Sequence, residues 1–278
     1  MNLDLKNTLC FGVAGNFAGH LEQAKENADF EAVKTAHALQ PKGLFPYYEP
    51  NAQNFKGVFP LSSTQINYPK NLDKGACLQL EAEAAVVFDV VYQNNQVTDL
   101  IPRAFAAFND CSIRKEGAKK ISEKKNWGAS SKGVSAEFLP LTKFEKGGEM
   151  DPFYIASFLK RDGTLHRYGT DSPVLTYSYF YGQLKRWMIN QFNHQIDHGP
   201  LECLPTIFKH ANYPKQIMVS LGATSYTDFG EHVFLQPGDE VLVYLYDATQ
   251  TSIDTIIEHA THSSTQLKNA STLIQKVI

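Results

Sequence analysis

The sequence has little cysteine, four residues in 278. Cys10, Cys77, Cys111 and Cys203 lie far apart with no C-x-x-C pair, which excludes a zinc ribbon or a dense disulfide framework and leaves four buried, reduced thiols as the expectation. No apolar run approaches the ~20 residues of a membrane span; the stretch from Ala84 to Phe88 is strand-sized and stops at Asp89. Positive charge is not in excess. With 26 Lys and Arg against 29 Asp and Glu, the formal net charge is −3, so the overall balance gives no cationic footprint for nucleic acid or an anionic membrane. The 18 glycines and 13 prolines are near average abundance, which rules out collagen and low-complexity chains. There is no internal repeat and no Gly/Ser linker, and Gly12-x-x-Gly15 is not a dinucleotide fingerprint. The first nine residues carry Asp4 and Lys6 and no apolar h-region. A cytosolic protein whose partner is a small molecule or another protein is the expectation.

What is present is a chain 43% hydrophobic, long enough for one large domain or two small ones. Helical periodicity is scarce and Pro/Gly punctuation frequent, so a β-rich α+β fold is expected. Residues Cys77 to Val91 read as a strand with Leu78, Leu80, Ala82, Ala84, Val86 and Phe88 on one face and Gln79, Glu81 and Glu83 on the other. Ile155 to Leu159, then Arg161-Asp162-Gly163, then Thr164 to Tyr168 read as a hairpin with Asp-Gly in its turn. Pro237-Gly238 predicts a type II turn feeding a buried strand from Val241 to Tyr246. Helices are expected around Gly19 to Thr35, Arg114 to Lys125 and Tyr177 to Phe192. In the last, Phe180, Leu184, Trp187 and Met188 form a core-facing stripe.

The chemistry centres on Glu81-Ala82-Glu83. A two-residue period places both carboxylates on one strand face, about 6.6 Å apart at Cα. Their mutual repulsion is relieved by a hard divalent ion such as Mg²⁺ or Ca²⁺, or by solvent if the face is simply an exposed acidic one. Asn109-Asp110 follows the apolar run Ala104 to Phe108, where Asp110 is either a helix cap or a ligand. Trp127 and Lys132 flank a small-residue loop, Gly128 to Ser131. The Lys-rich stretch Lys115, Lys119, Lys120, Lys124 and Lys125, interleaved with Glu116 and Glu123, reads as a solvated helix face. His194 and His198 lack the Glu of a metalloprotease motif.

The order and spacing of Glu81, Glu83, the strand Ala84 to Val90, Asn109-Asp110 with Arg114, Trp127 and Lys132 resemble the fumarylacetoacetate hydrolase superfamily. The resemblance extends to Gly12 to His20, similar to its Gly-x-Asn-Tyr-x-x-His motif, to Leu221-Gly222-Ala223-Thr224, and to the Leu-x-Pro-Gly-Asp turn at Leu235 to Asp239. In scattered blocks it covers most of residues 9–246. It implies a mixed β-roll or β-sandwich with short peripheral helices, as an N-terminal segment 1–75 and a catalytic domain 76–278 forming one compact unit, and a homodimer. It further implies Mg²⁺ (or Mn²⁺ or Ca²⁺) held by Glu81, Glu83 and Asp110. Lys132 and His20 would be catalytic residues, with Asn16, Arg114 and Thr224 as substrate contacts. The implied activity is that of a hydrolase or lyase on a small oxo-acid, acylpyruvate or oxo-diacid, through a metal-stabilised enolate.

The departures from the pattern bear on the reaction. Where hydrolytic members carry His-x-x-Glu to activate water, this chain has His20-Leu21-Glu22-Gln23, and an amide accepts no proton. Tyr47 stands in place of the family's Lys, and Arg161-Asp162-Gly163 in place of its Asn-Gly-Glu hairpin. Decarboxylation or isomerisation is therefore as compatible as C–C hydrolysis. A non-catalytic metal or small-acid binding protein that kept the fold is the alternative. The segment Glu22 to Leu39 is a candidate lid.

Overall fold

A computed structural model describes residues 3–17, 19–24, 26–30, 33–262 and 267–278. Ala18 of the His20 motif, and Lys25, Glu31 and Ala32 of the expected first helix and lid, lie outside the described residues. Two sheets dominate. The larger runs Gly43–Tyr48 (β2), Leu9–Ala14 (β1), Gln216–Ser220 (β14), Ala82–Gln93 (β6), Gln96–Asn109 (β7), Lys132–Val134 (β9) and Leu61–Ser62 (β3), with Leu139–Pro140 (β10) on β7. The second runs Thr164–Arg167 (β12), Phe153–Arg161 (β11), Glu240–Asp247 (β15), Ala270–Val277 (β16) and Gln65–Ile66 (β4), with Ser172–Pro173 (β13) on β11. Cys77–Gln79 (β5) and Ser112–Arg114 (β8) pair separately. Strands from before residue 76 thus complete both sheets, β1 parallel to β14 and β4 parallel to β16.

The long β6–β7 hairpin is the spine. Its two turn residues, Asn94 and Asn95, both have φ > 0 (51° and 62°), the conformation a tight hairpin demands and asparagine tolerates. Because β6 lies between β14 and β7 and has side chains packed on both sides, Ala84, Ala85, Val86, Val87 and Phe88 are all fully buried. That explains why the run is continuously apolar rather than alternating. Ala84, Val86 and Phe88 face the second sheet with Phe105, Ile155 and Val243, where Phe105 meets Phe153 edge-on at 4.9 Å. Ala85 and Val87 face the other way, toward Phe45, Ala106 and Met218. Each large core side chain contributes roughly 1.5–3 kcal/mol by leaving water. The outer face of the second sheet is covered by Ile253–His262, through Ile256 and Ala260.

Several sequence expectations hold. The 153–167 hairpin turns at Asp162 and Gly163 (φ 50° and 79°), and Pro237-Gly238 (φ 99°) feeds β15. The helix expected around Tyr177 to Phe192 begins at Tyr181, with Phe180 as its extended cap, and buries Leu184, Trp187 and Met188 as its stripe requires. Others need correction. The strand expected over Cys77 to Val91 is interrupted between Gln79 and Ala82. Among the described residues the other two expected helices shrink to short pieces, His20–Gln23 (α1) with a 3₁₀ turn at Asn27–Phe30, and Ser122–Lys125 (α2), since neither segment carries an apolar stripe long enough to be held by packing. None of the four cysteines is in a disulfide, and only Cys10 and Cys111 are buried.

Candidate metal centre

The β6–β7 register brings the three acids together. Glu83 pairs with Phe108 and Ala82 with Asn109, so the next residue, Asp110, falls opposite Glu81, where its N–H donates to the Glu81 carbonyl at 2.9 Å. Asn109 locks this end of the hairpin. It accepts from the Glu81 N–H at 3.3 Å and donates to Gln275 Oε1 of the second sheet at 3.0 Å. One carboxylate oxygen from each of Glu81, Glu83 and Asp110 lies within 4.8 Å of the others, and none of the three residues is more than 3% exposed. The exposed acidic strand face is therefore overturned: Gln79, Glu81 and Glu83 are all buried.

Each acid has its own electrostatic setting. Burial alone would raise the Glu81 carboxyl, but Lys125 and Arg114 reverse this and hold it well below the usual range. The ammonium of Lys125 lies 2.8 Å from Glu81 Oε2 and the Arg114 guanidinium 2.6 Å from Oε1. Asp110 is bracketed by Lys125 at 2.6 Å and Lys132 at 3.0 Å, yet burial leaves its carboxyl raised. Glu83 is raised furthest from the ionised state, by burial and then by Asp110 and Glu81. Among the described residues its carboxylate accepts one hydrogen bond, from the Gly222 N–H at 2.9 Å. Gly222 sits at φ 112°, and a Cβ there would meet Asn16 Cβ at 3.1 Å. The glycine lets the loop after β14 turn its amide toward the acid.

The rest of the expected constellation divides into groups that face the acids and groups that support them. His20 is buried and its Nδ1 donates to the Thr224 carbonyl at 3.0 Å. A carbonyl only accepts, so the proton sits on Nδ1 and Nε2 carries the lone pair. His20 lines, with Asn16, Glu26, Glu81, Glu83, Asp110 and Lys125, a small cavity of about 20 Å³, room for one ion or water. Asn16 spends its amide on the backbone of Tyr179 and Leu221. The hydroxyl of Thr224 turns to the Ala82 carbonyl at 3.4 Å. Lys132 is fully buried behind Asp110, also donating to the Cys111 carbonyl, with its ammonium 5.6 Å from the Trp127 ring centroid.

Residues 26–277 match the sequence model of a family of unknown function (DUF5718). The chain belongs to that family. No curated protein matches it in sequence. Among solved structures, this DUF5718 member is similar to Cg1458 crystallised with an inhibitor, at a TM-score of 0.55 and 15% identity over 98% of this chain and 77% of that one. It is also similar to 2-keto-3-deoxy-D-arabinonate dehydratase in its apo form, at 0.53 and 13% over 97% and 72%. A hexagonal crystal form described as 2-keto-3-deoxyarabinonate dehydratase gives 0.54 and 14% over 97% and 73%. At such identities the likeness is one of fold. The fold is the fumarylacetoacetate hydrolase-like one that the motifs implied, in a sequence-divergent form.

Three residues that the sequence did not single out for the site complete it in this DUF5718 chain. Lys124 and Lys125, expected on a solvated face, are 6% and 3% exposed. They are buried because α2 aims them at acids, Lys124 at Asp29 and Glu26, Lys125 at Glu81 and Asp110. Glu26 is paired with Arg114 at 2.7 Å, and Arg114 also donates to Gln79 Oε1 at 2.6 Å and Tyr226 Oη at 3.0 Å. Gln23 turns to the Tyr226 backbone, accepting from its N–H at 2.9 Å and donating to its carbonyl at 3.3 Å.

Proposed function

We propose that this chain is a divalent-metal-dependent enzyme acting on a small oxo-acid, with Glu81, Glu83 and Asp110 as the protein ligands of Mg²⁺, Mn²⁺ or Ca²⁺. What carries the reading is the convergence of three buried carboxylates at the ends of the central strands, in one cavity with a histidine whose Nε2 is unprotonated. Three hard oxygen donors suit such an ion. When bound, it would supply Lewis acidity toward the oxo group of the substrate.

The chain's own residues support the remaining steps. Burial lowers the His20 pKa, so the imidazole is neutral near pH 7 and its Nε2 can take a proton from, or return one to, the carbon beside the oxo group. Glu26, Asp29, Glu81, Glu83 and Asp110 outnumber Arg114, Lys124, Lys125 and Lys132 by one when all are ionised. A divalent ion then leaves a single positive surplus, which favours an anionic substrate there. The 20 Å³ cavity holds no oxo-acid. Glu26 lines both this cavity and an outer cleft of about 590 Å³, so we place the substrate route at the segment that carries it, part of the proposed lid. With Gln23 tied to Tyr226 and the Glu26 carboxylate taken by Arg114, neither residue supports His20 in activating water. Decarboxylation or isomerisation is accordingly favoured over hydrolysis.

The test is a screen of acylpyruvates and oxo-diacids with Mg²⁺ and Mn²⁺, following loss of the enol absorbance and release of CO₂. Turnover should fall at least about 10³-fold in Asp110→Ala, as expected for loss of an electrostatic group at the reacting centre. Metal binding without turnover of any such acid would replace the enzyme by a binding protein.

A further inference from the structure

An ion bound by Glu81 and Asp110 would have to sit about 2.0–2.6 Å from an oxygen of each. In the structure the ammonium of Lys125 holds that position, 2.8 Å from Glu81 Oε2 and 2.6 Å from Asp110 Oδ2. The Lys125 side chain is 4% exposed, so water does not screen it. Lys132 reaches only the far oxygen of Asp110 and leaves the Glu81 side open. Two cations cannot share the gap between these carboxylates, because their repulsion in a site shielded from water is large. The Lys125 ammonium has another seat: the Phe45 ring centroid is 5.2 Å from Nζ, and Phe45 and Lys125 line the same small cavity. An aromatic face accepts a desolvated ammonium favourably.

We propose that Lys125 is the resident cation of the acidic triad, and that a divalent ion binds in competition with its ammonium, which withdraws from Glu81 and Asp110 toward Phe45 as the metal enters. The proposal rests on the metal-centre reading above. Its consequence is a threshold: the triad stays folded and charge-compensated when metal is scarce, and loads only above a concentration that the lysine sets. The other cations at the centre lack this property, since Arg114 is held by Glu26, Gln79 and Tyr226 as well as Glu81.

The experiment titrates the chelator-treated full chain with Mn²⁺, reading free ion by electron paramagnetic resonance, for wild type, Lys125→Met and Lys125→Gln. The glutamine variant keeps a hydrogen-bond donor and covers the case in which methionine does not fold. The neutral variants should bind Mn²⁺ at least about ten-fold tighter than wild type, while their metal-free forms melt at lower temperature. Tightening of less than ten-fold, or weaker binding, would overturn the role of Lys125 and leave the metal centre standing. No Mn²⁺ binding by folded wild type and variants alike would remove the metal centre and this proposal together.

Discussion

Replacing Glu81 and Glu83 by glutamine, one at a time, should give opposite results in the metal-free protein. The two substitutions make the same chemical change two residues apart, but the charges around them differ. Glu81 is ionised and clasped by Lys125 and Arg114, so Glu81→Gln leaves both cations short of a buried partner and should cost about 3–5 kcal/mol. Glu83 has no cation in contact among the described residues, and burial together with Asp110 and Glu81 holds its carboxyl well above the usual range. A neutral amide still accepts the Gly222 N–H, so near pH 5, where the linkage term is small, Glu83→Gln should stay within about 1 kcal/mol of wild type, the scale of one net hydrogen bond. The pH dependence carries the sign. Where the folded pKa exceeds the unfolded one, the native state binds more protons, and stability falls as pH rises above the ordinary value of 4.5. Glu83→Gln removes that slope, so its stability relative to wild type should increase from pH 5 to pH 8. For Glu81 the folded pKa is depressed, so the advantage of wild type over Glu81→Gln should fade as pH drops below about 4.5. Urea denaturation in chelator at several pH values reads all of this. Equal losses at pH 7, or a Glu83→Gln difference that does not change with pH, would refute a Glu83 carboxyl held above its usual range.

Much of this centre was legible because strand chemistry is local. The two-residue spacing of Glu81 and Glu83 and the apolar strand behind them are short-range features, and a hairpin register then carries Asp110 to the pair. The Asp162-Gly163 and Pro237-Gly238 turns were legible for the same reason. Burial of the acids was not, because Glu81 and Glu83 are covered by α1, the 222–226 loop and α2, none of which is adjacent in sequence. Lys125 shows the limit most clearly. Its neighbours Glu123 and Lys124 give the alternating charge of a surface helix, and only the tertiary approach of α2 to the strand ends turns that lysine inward. Glu26 stayed hidden because its partner Arg114 lies 88 residues away.

Substitutions at three further positions test the supports of the centre. Arg114→Met should cost about 3–5 kcal/mol in urea denaturation by stranding Glu26 and Glu81, and Arg114→Lys should not restore it, since one ammonium cannot span their carboxylates, Gln79 and Tyr226; a loss below 1 kcal/mol would show the cluster to be dispensable. Gly222→Ala should cost about 1–2 kcal/mol for a side chain at φ 112° and weaken Mn²⁺ binding, because the backbone amide on Glu83 moves with the loop; unchanged affinity would mean that this amide does not position the ligand. Gln23→Glu restores the hydrolytic motif in sequence, yet the new carboxylate would face the Tyr226 carbonyl and the Glu231 carboxylate, which the present amide approaches at 3.3 and 3.5 Å as a donor. It should therefore destabilise by about 1–3 kcal/mol without conferring hydrolysis of acylpyruvates. A gain of hydrolytic turnover would show instead that residue 23 reaches His20 during the reaction, and that the tie to Tyr226 is what holds this chain away from hydrolysis.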